Sequence, residues 1–143
     1  MFRVTRTLVC IFFSTISLPQ AIADDVRNDD HTVSVEAANV PATKAGGTAR
    51  LQFKIINHGN EPVNLRSVRS DLAKGTRMTI FDPFLGRRAI DDLSVLRDET
   101  LDLDTSHIRV ELVSLTEDME PGTTIEFELV FRRFSTTAEA HVH

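Results

Sequence analysis

Arg50-Leu51-Gln52-Phe53-Lys54-Ile55 alternates polar and apolar side chains at every step and is closed by the turn-forming cluster Asn57-His58-Gly59-Asn60-Glu61-Pro62. A period of two places Leu51, Phe53 and Ile55 on one face of a pleated strand and their polar neighbours on the other, as a strand half buried on a core requires. The same period recurs outward along the chain. Val33, Val35 and Ala37 alternate with Ser34, Glu36 and Ala38, Ile108, Val110 and Leu112 with Arg109, Glu111 and Val113, and Ile125, Phe127 and Leu129 with Glu126, Glu128 and Val130. Val63–Ser70, Thr76–Phe81 and Phe134–Val142 add further strand candidates, with a turn or a single helical turn between Ser70 and Gly75. Residues 82–106 carry ten charged side chains, are broken by Pro83 and Gly86, and read as a loop-rich excursion. Seven or eight strands with no long helix predict an all-β protein, an antiparallel β-sandwich or barrel.

The 143 residues suffice for one domain. Arg3 and Arg6, an apolar run from Leu8 to Leu18 and the small-residue pattern Ala21-Ile22-Ala23 predict a cleavable export signal over residues 1–23, and hence a periplasmic protein. The run is well short of the roughly 20 apolar residues of a membrane span, so no membrane anchor is expected after cleavage. Residues 24–32 are almost wholly polar and read as a flexible lead-in, leaving a domain over 33–143. Cys10, inside the apolar run, is the one cysteine, and no small residue precedes it as a lipidation signal would require. The processed chain would therefore have no thiol for a disulfide, a nucleophile or a metal.

The full chain has a net charge of −5, and removal of the signal leaves 14 basic against 21 acidic side chains. That balance excludes a nucleic-acid-binding footprint and a polybasic membrane-surface protein as overall descriptions. The chain lacks a Gly-x-Ser-x-Gly elbow, a phosphate-binding glycine loop, a His-Glu-x-x-His motif and an Asp-rich calcium loop. Adjacent acids such as Asp91-Asp92 and Asp98-Glu99 would point to opposite faces of a strand and so form no catalytic pair. No enzymatic activity is expected.

Two longer segments, from Ala49 through Asn57-His58-Gly59-Asn60-Glu61-Pro62 to Ala73, and from Leu112 through Glu120-Pro121-Gly122 to Phe131, resemble the periplasmic PCu(A)C copper-chaperone family, over roughly residues 33–142. The resemblance implies a cupredoxin-like β-sandwich that binds Cu(I) and passes it toward the copper centre of a respiratory oxidase. The family's metal motif is His, ten residues, Met, twenty-one residues, His, one residue, Met, a pairing of thioethers with imidazoles that suits Cu(I). Overlaid on this chain, the later His and Met fall on Arg109 and Glu111, and the earlier Met on or near Arg87. The first His falls between Thr76 and Thr79, where Met78 alone could ligate. An arginine has no lone pair to give a metal, so the usual site is degenerate, and a cluster of Arg87, Arg109 and Glu111 is expected to fill its place as an internal ion-pair network.

Candidate ligands for a rebuilt copper site are Met78, His107, His141 and His143. His141 and His143 project to one side if the last strand continues to the end, and His-x-His is a chelator by residue type. Against this stand a frayed tail for the two histidines and core packing for Met78. His58, His31 and Met119 read as turn, lead-in and turn-packing residues. The expected partner is a copper-accepting or other periplasmic protein, with the oligomeric state open. The alternative to copper handling is a metal-free periplasmic protein-binding module, meeting an acidic partner through Arg66, Arg69, Arg77, Arg87 and Arg88 and the 82–106 loop.

Overall fold

The computed structural model describes residues 33–143, and the export signal and lead-in read over 1–32 lie outside the described residues. Ten strands follow in chain order: β1 Val33–Val40, β2 Thr48–Asn57, β3 Val63–Arg69, β4 Ala73–Asp82, β5 Gly86–Ala89, β6 Leu93–Val95, β7 Thr100–Asp102, β8 Ile108–Leu115, β9 Thr124–Phe131 and β10 Ser135–Val142. Described helices are absent, as the period of two requires. The strand count exceeds the seven or eight expected because the excursion over 82–106 contains β5, β6 and β7, each three or four residues long. Strands that short carry too few residues to establish an alternation.

The strands run β5-β4-β8-β2-β1-β10-β9-β3-β6, with β7 added beside β2, and the path keeps two open ends. Every neighbouring pair is antiparallel except β1 and β10, which meet in parallel through Asn39↔His141 and Val40↔Val142. β2 joins the two halves of the fold: Thr48–Leu51 pair with β8, while Lys54–Ile56 pair with β7 on the same edge and with β1 on the other. The sheet therefore folds over itself, and its inward side chains form one core. Leu51, Phe53 and Ile55 of β2, Val110 and Leu112 of β8, and Ile125, Phe127, Leu129 and Phe131 of β9 are all buried. Phe53 and Phe127 meet across the core with ring centroids 5.3 Å apart at 50°.

Two residues with positive φ correct the sequence-derived alternation. Ala37 takes a positive φ of 51°, and the β1–β2 register shifts between Glu36 and Asn39. Ala37 is thereby exposed, although the alternation placed it with Val33 and Val35, and Val40 enters the core instead. Ser114 has φ 55° in β8, and Leu115 rather than Ser114 continues the buried series after Val110 and Leu112. One residue in left-handed geometry moves the phase of every side chain after it. The Ser70–Gly75 segment is a two-residue turn at Asp71-Leu72.

Candidate metal-handling site

Arg87, Arg109 and Glu111, the positions expected to replace ligands of the copper motif, lie on one face of the β5-β4-β8-β2 half. In an antiparallel ladder directly opposed residues share a face. Arg77 stands opposite Glu111, Thr79 opposite both Arg109 and Ala89, Phe81 opposite Arg87, and Arg50 of β2 opposite Glu111 from the other side. Arg50, Arg77, Thr79, Phe81, Arg87, Arg109 and Glu111 therefore share one face, on which Thr79 is itself buried. The core-side face of the same strands holds Met78, Val110 and Leu112, all buried.

Glu111 does sit between two guanidinium-bearing residues, but they are not the pair expected. Arg77 Nε and Nη2 both donate to Glu111 Oε2, at 2.9 and 2.7 Å. Arg50, on the other side, donates through Nη2 to the carbonyl oxygens of Leu103 and Asp104, both at 2.9 Å. Arg87 lies two strands from Glu111, gives an Nη1 hydrogen bond to Thr79 Oγ1 at 3.3 Å, and stands 6.0 Å from the Phe81 ring centroid. The expected cluster of Arg87, Arg109 and Glu111 is thus a shared face on which Arg77 makes the ion pair. The reason is register: β4 places Arg77 across from Glu111, and the 82–86 turn carries Arg87 back only as far as Phe81.

The four proposed ligands do not converge. Met78 lies opposite Val110 inside the core and is 6% exposed, on the sheet face away from Arg109 and Glu111. His107 precedes β8, is exposed, and its carbonyl accepts the Phe81 N–H at 3.0 Å. His141 and His143 belong to the opposite end of the strands, where His143 pairs with Val40 and Ala42 and where the end of β8 meets Gly46 and Gly47. Among the described residues no group of three or more His, Cys, Asp or Glu is disposed to hold a metal ion.

The C-terminal pair is better ordered than a free tail. The His143 N–H donates to Val40 O at 3.1 Å, and its carbonyl accepts the Ala42 N–H at 2.8 Å. These bonds continue the parallel β1–β10 ladder one residue past β10. His141 and His143 are both exposed, and two residues apart they share a face. His141 Nδ1 lies 3.4 Å from Thr124 Oγ1, and His141 borders a cleft of about 600 Å³ where β1 and β10 diverge, beside Ser34, Thr137 and Glu139. Two imidazoles held there leave further coordination positions for water or for a partner's ligand.

The other candidates fall out by burial. Met119 is 4% exposed and packs in the core rather than at a turn surface. His58 remains in its turn, 2.9 Å from Ser34 Oγ. Asn57 was not singled out by the sequence and is fully buried, its Nδ2 shared among the carbonyls of Glu61, Val95 and Leu96. A polar residue in a turn cluster gives no signal of burial.

A sequence family described as "Putative lipoprotein LpqE-like" matches residues 33–142. The chain belongs to this family. Its fold agrees with solved PCuAC domains. The copper-bound PCuAC domain from PmoF2 is 21% identical with a TM-score of 0.68, over 78% of this chain and 92% of that one. The apo PCuAC domain from PmoF1 is 19% identical with a TM-score of 0.67, over 78% and 93%. The Cu(I) form of DR1885 from Deinococcus radiodurans, a solution structure, is 16% identical with a TM-score of 0.61, over 80% and 82%. A sequence comparison with curated proteins gives no match. This LpqE-like protein therefore has the cupredoxin-like all-β fold of the PCuAC domains.

Proposed function

We propose that this LpqE-like protein is an exported copper-handling protein with a degenerate metal site, holding copper through His141 and His143 and releasing it to a protein acceptor such as a respiratory oxidase. The observation that carries this reading is the anchoring of the last residue: backbone bonds at 3.1 and 2.8 Å hold the His-x-His pair in strand geometry at an exposed edge. Imidazoles are ligands for Cu(II) and Zn(II) by type, and an incomplete ligand set is what a carrier needs in order to give its cargo up. Membership of the LpqE-like family and the likeness of fold to copper-binding PCuAC domains support copper as that cargo.

Titration of the purified protein with Cu(II), and with Cu(I) under reducing conditions, against a competing chelator tests this reading. Stoichiometric binding weakened tenfold or more in His141→Ala, His143→Ala is the expected result, since loss of ligands costs at least what loss of their outer-shell partners does. Unchanged affinity in that variant overturns the assignment of the histidines. A second reading, a metal-free binding module, is favoured by the Arg77–Glu111 ion pair that occupies two positions of the family-motif face. It predicts no copper binding by the folded wild type.

A further inference from the structure

The β4–β5 hairpin ends in Asp82-Pro83-Phe84-Leu85-Gly86, and its apex is apolar and outside the molecule: Phe84 is 95% exposed, Leu85 75% and Phe81 45%. The exposure belongs to a built turn. Asp82 Oδ1 accepts the N–H groups of Phe84 and Leu85 at 2.8 and 3.0 Å, and Gly86 closes the turn with φ 76°, a conformation that favours glycine. β5 is an end of the strand path, so no described strand covers the far side of the hairpin.

Charge is segregated to the same element. Residues 73–89 contain Lys74, Arg77, Arg87 and Arg88 against Asp82 alone, a net charge of +3 in a chain whose total is −5; Arg77 is paired with Glu111 of β8, leaving Lys74, Arg87 and Arg88 as the cations of the hairpin. Arg109 adds a further cation on the neighbouring strand, opposite Thr79. The net acidity that excludes a polybasic protein overall thus leaves this hairpin basic, and an anionic surface would attract it.

We propose that the 82–86 tip is a membrane-docking wedge, inserting Phe84 and Leu85 into the interface of an anionic lipid surface with Arg87 and Arg88 at the headgroup level. The favoured partner is lipid for a geometric reason. Arg87 and Arg88 are consecutive on a strand and project to opposite faces of the ribbon, so cations flank the apolar apex on both sides at one height. A convex tip with cations on both faces is fully covered only by a medium that closes around it. Aromatic and aliphatic side chains at the boundary, with arginines reaching the phosphates, are the interfacial arrangement of peripheral proteins. Each arginine near such a surface contributes about a fivefold factor in affinity.

The chain contains neither Trp nor Tyr, so Phe84→Trp places a single reporter at the apex, and Leu96→Trp places one at an exposed position elsewhere. Fluorescence of each variant is recorded with equimolar phosphatidylcholine and phosphatidylglycerol vesicles and with pure phosphatidylcholine vesicles. The expected result is a blue shift and quenching by brominated lipid for Phe84→Trp on the anionic vesicles only, with no shift for Leu96→Trp. Adding Arg87→Ala and Arg88→Ala should weaken vesicle affinity about twentyfold or more, two such factors combined. No shift at Phe84→Trp on anionic vesicles overturns the proposal, and so does an equal shift at both positions. A shift produced by polyglutamate and not by vesicles overturns it too, and assigns the tip to an acidic protein.

Discussion

Asn57→Ala should be among the most destabilising polar substitutions in this protein. Asn57 is fully buried at the end of β2, and its amide nitrogen lies 2.8, 3.0 and 3.2 Å from the carbonyl oxygens of Glu61, Leu96 and Val95. An NH₂ group has two hydrogens, so one is shared between two acceptors. Its Oδ1 accepts the Gly59 N–H at 3.0 Å. The Glu61 and Leu96 carbonyls belong to exposed residues that water can reach, whereas the bonds to Val95 O and Gly59 N–H lie in buried surroundings. Truncation therefore strands two buried polar groups at about 1–3 kcal/mol each, or about 2–6 kcal/mol together. With a urea m-value of roughly 2 kcal/mol/M, the unfolding midpoint should fall by about 1–3 M at unchanged m. Asn57→Asp keeps the acceptor but presents a carboxylate without hydrogens to three carbonyls. At neutral pH it should destabilise at least as much. The buried carboxyl's folded-state pKa is raised, so the loss should shrink as pH falls and the acid gains an O–H donor. An Asn57→Ala unfolding free energy within about 0.5 kcal/mol of wild type, or an Asn57→Asp protein weaker in acid than at neutral pH, would refute the reasoning.

Four further outcomes follow from particular contacts. Phe127→Ala removes the ring that meets Phe53 across the core and should cost about 3–5 kcal/mol by urea unfolding. Gly47→Ala sets a Cβ 2.7 Å from Thr43 Cγ2 and 2.9 Å from Lys44 O, the latter backbone, and should cost about 1–3 kcal/mol in the same assay. Asp118 accepts the Ala45 N–H and a Lys44 hydrogen bond, which hold its carboxyl below the ordinary 3.8. A depressed acid stabilises above its unfolded pKa and loses that stabilisation as pH falls through the folded value, so the advantage over Asp118→Asn should be steady near neutrality and vanish in acid. Finally, Arg87→Met, Arg109→His and Glu111→Met together place two thioethers and an imidazole on one face. This triple variant should gain Cu(I) affinity over wild type in a chelator competition, and no gain would refute the overlay of the copper motif on that face.

Much of the fold was legible because alternation is a one-dimensional record of which face is buried. Leu51, Phe53 and Ile55, like Ile125, Phe127 and Leu129, meet the core as their spacing requires. The alternation failed where a single φ changes sign, at Ala37 and Ser114, since neither residue type announces a left-handed conformation. It failed again in β5, β6 and β7, which exist through pairing with longer strands rather than through any pattern of their own. For the candidate site, the overlay of the copper motif led to Arg87, Arg109 and Glu111 as an expectation, and the structure shows that these three share a face. Which arginine holds Glu111 depended on register, and register is a property of two strands at once.

The sequence by itself therefore determined the period of the strands and the all-β class, because each is carried by residue identity and local spacing. Tertiary structure alone decided that Arg77 pairs with Glu111, that Met78 lies in the core away from His107, and that His143 is tied to Val40 and Ala42. Those outcomes depend on which strands lie side by side and how far each is slid along its neighbour, and no local stretch of the chain contains that information.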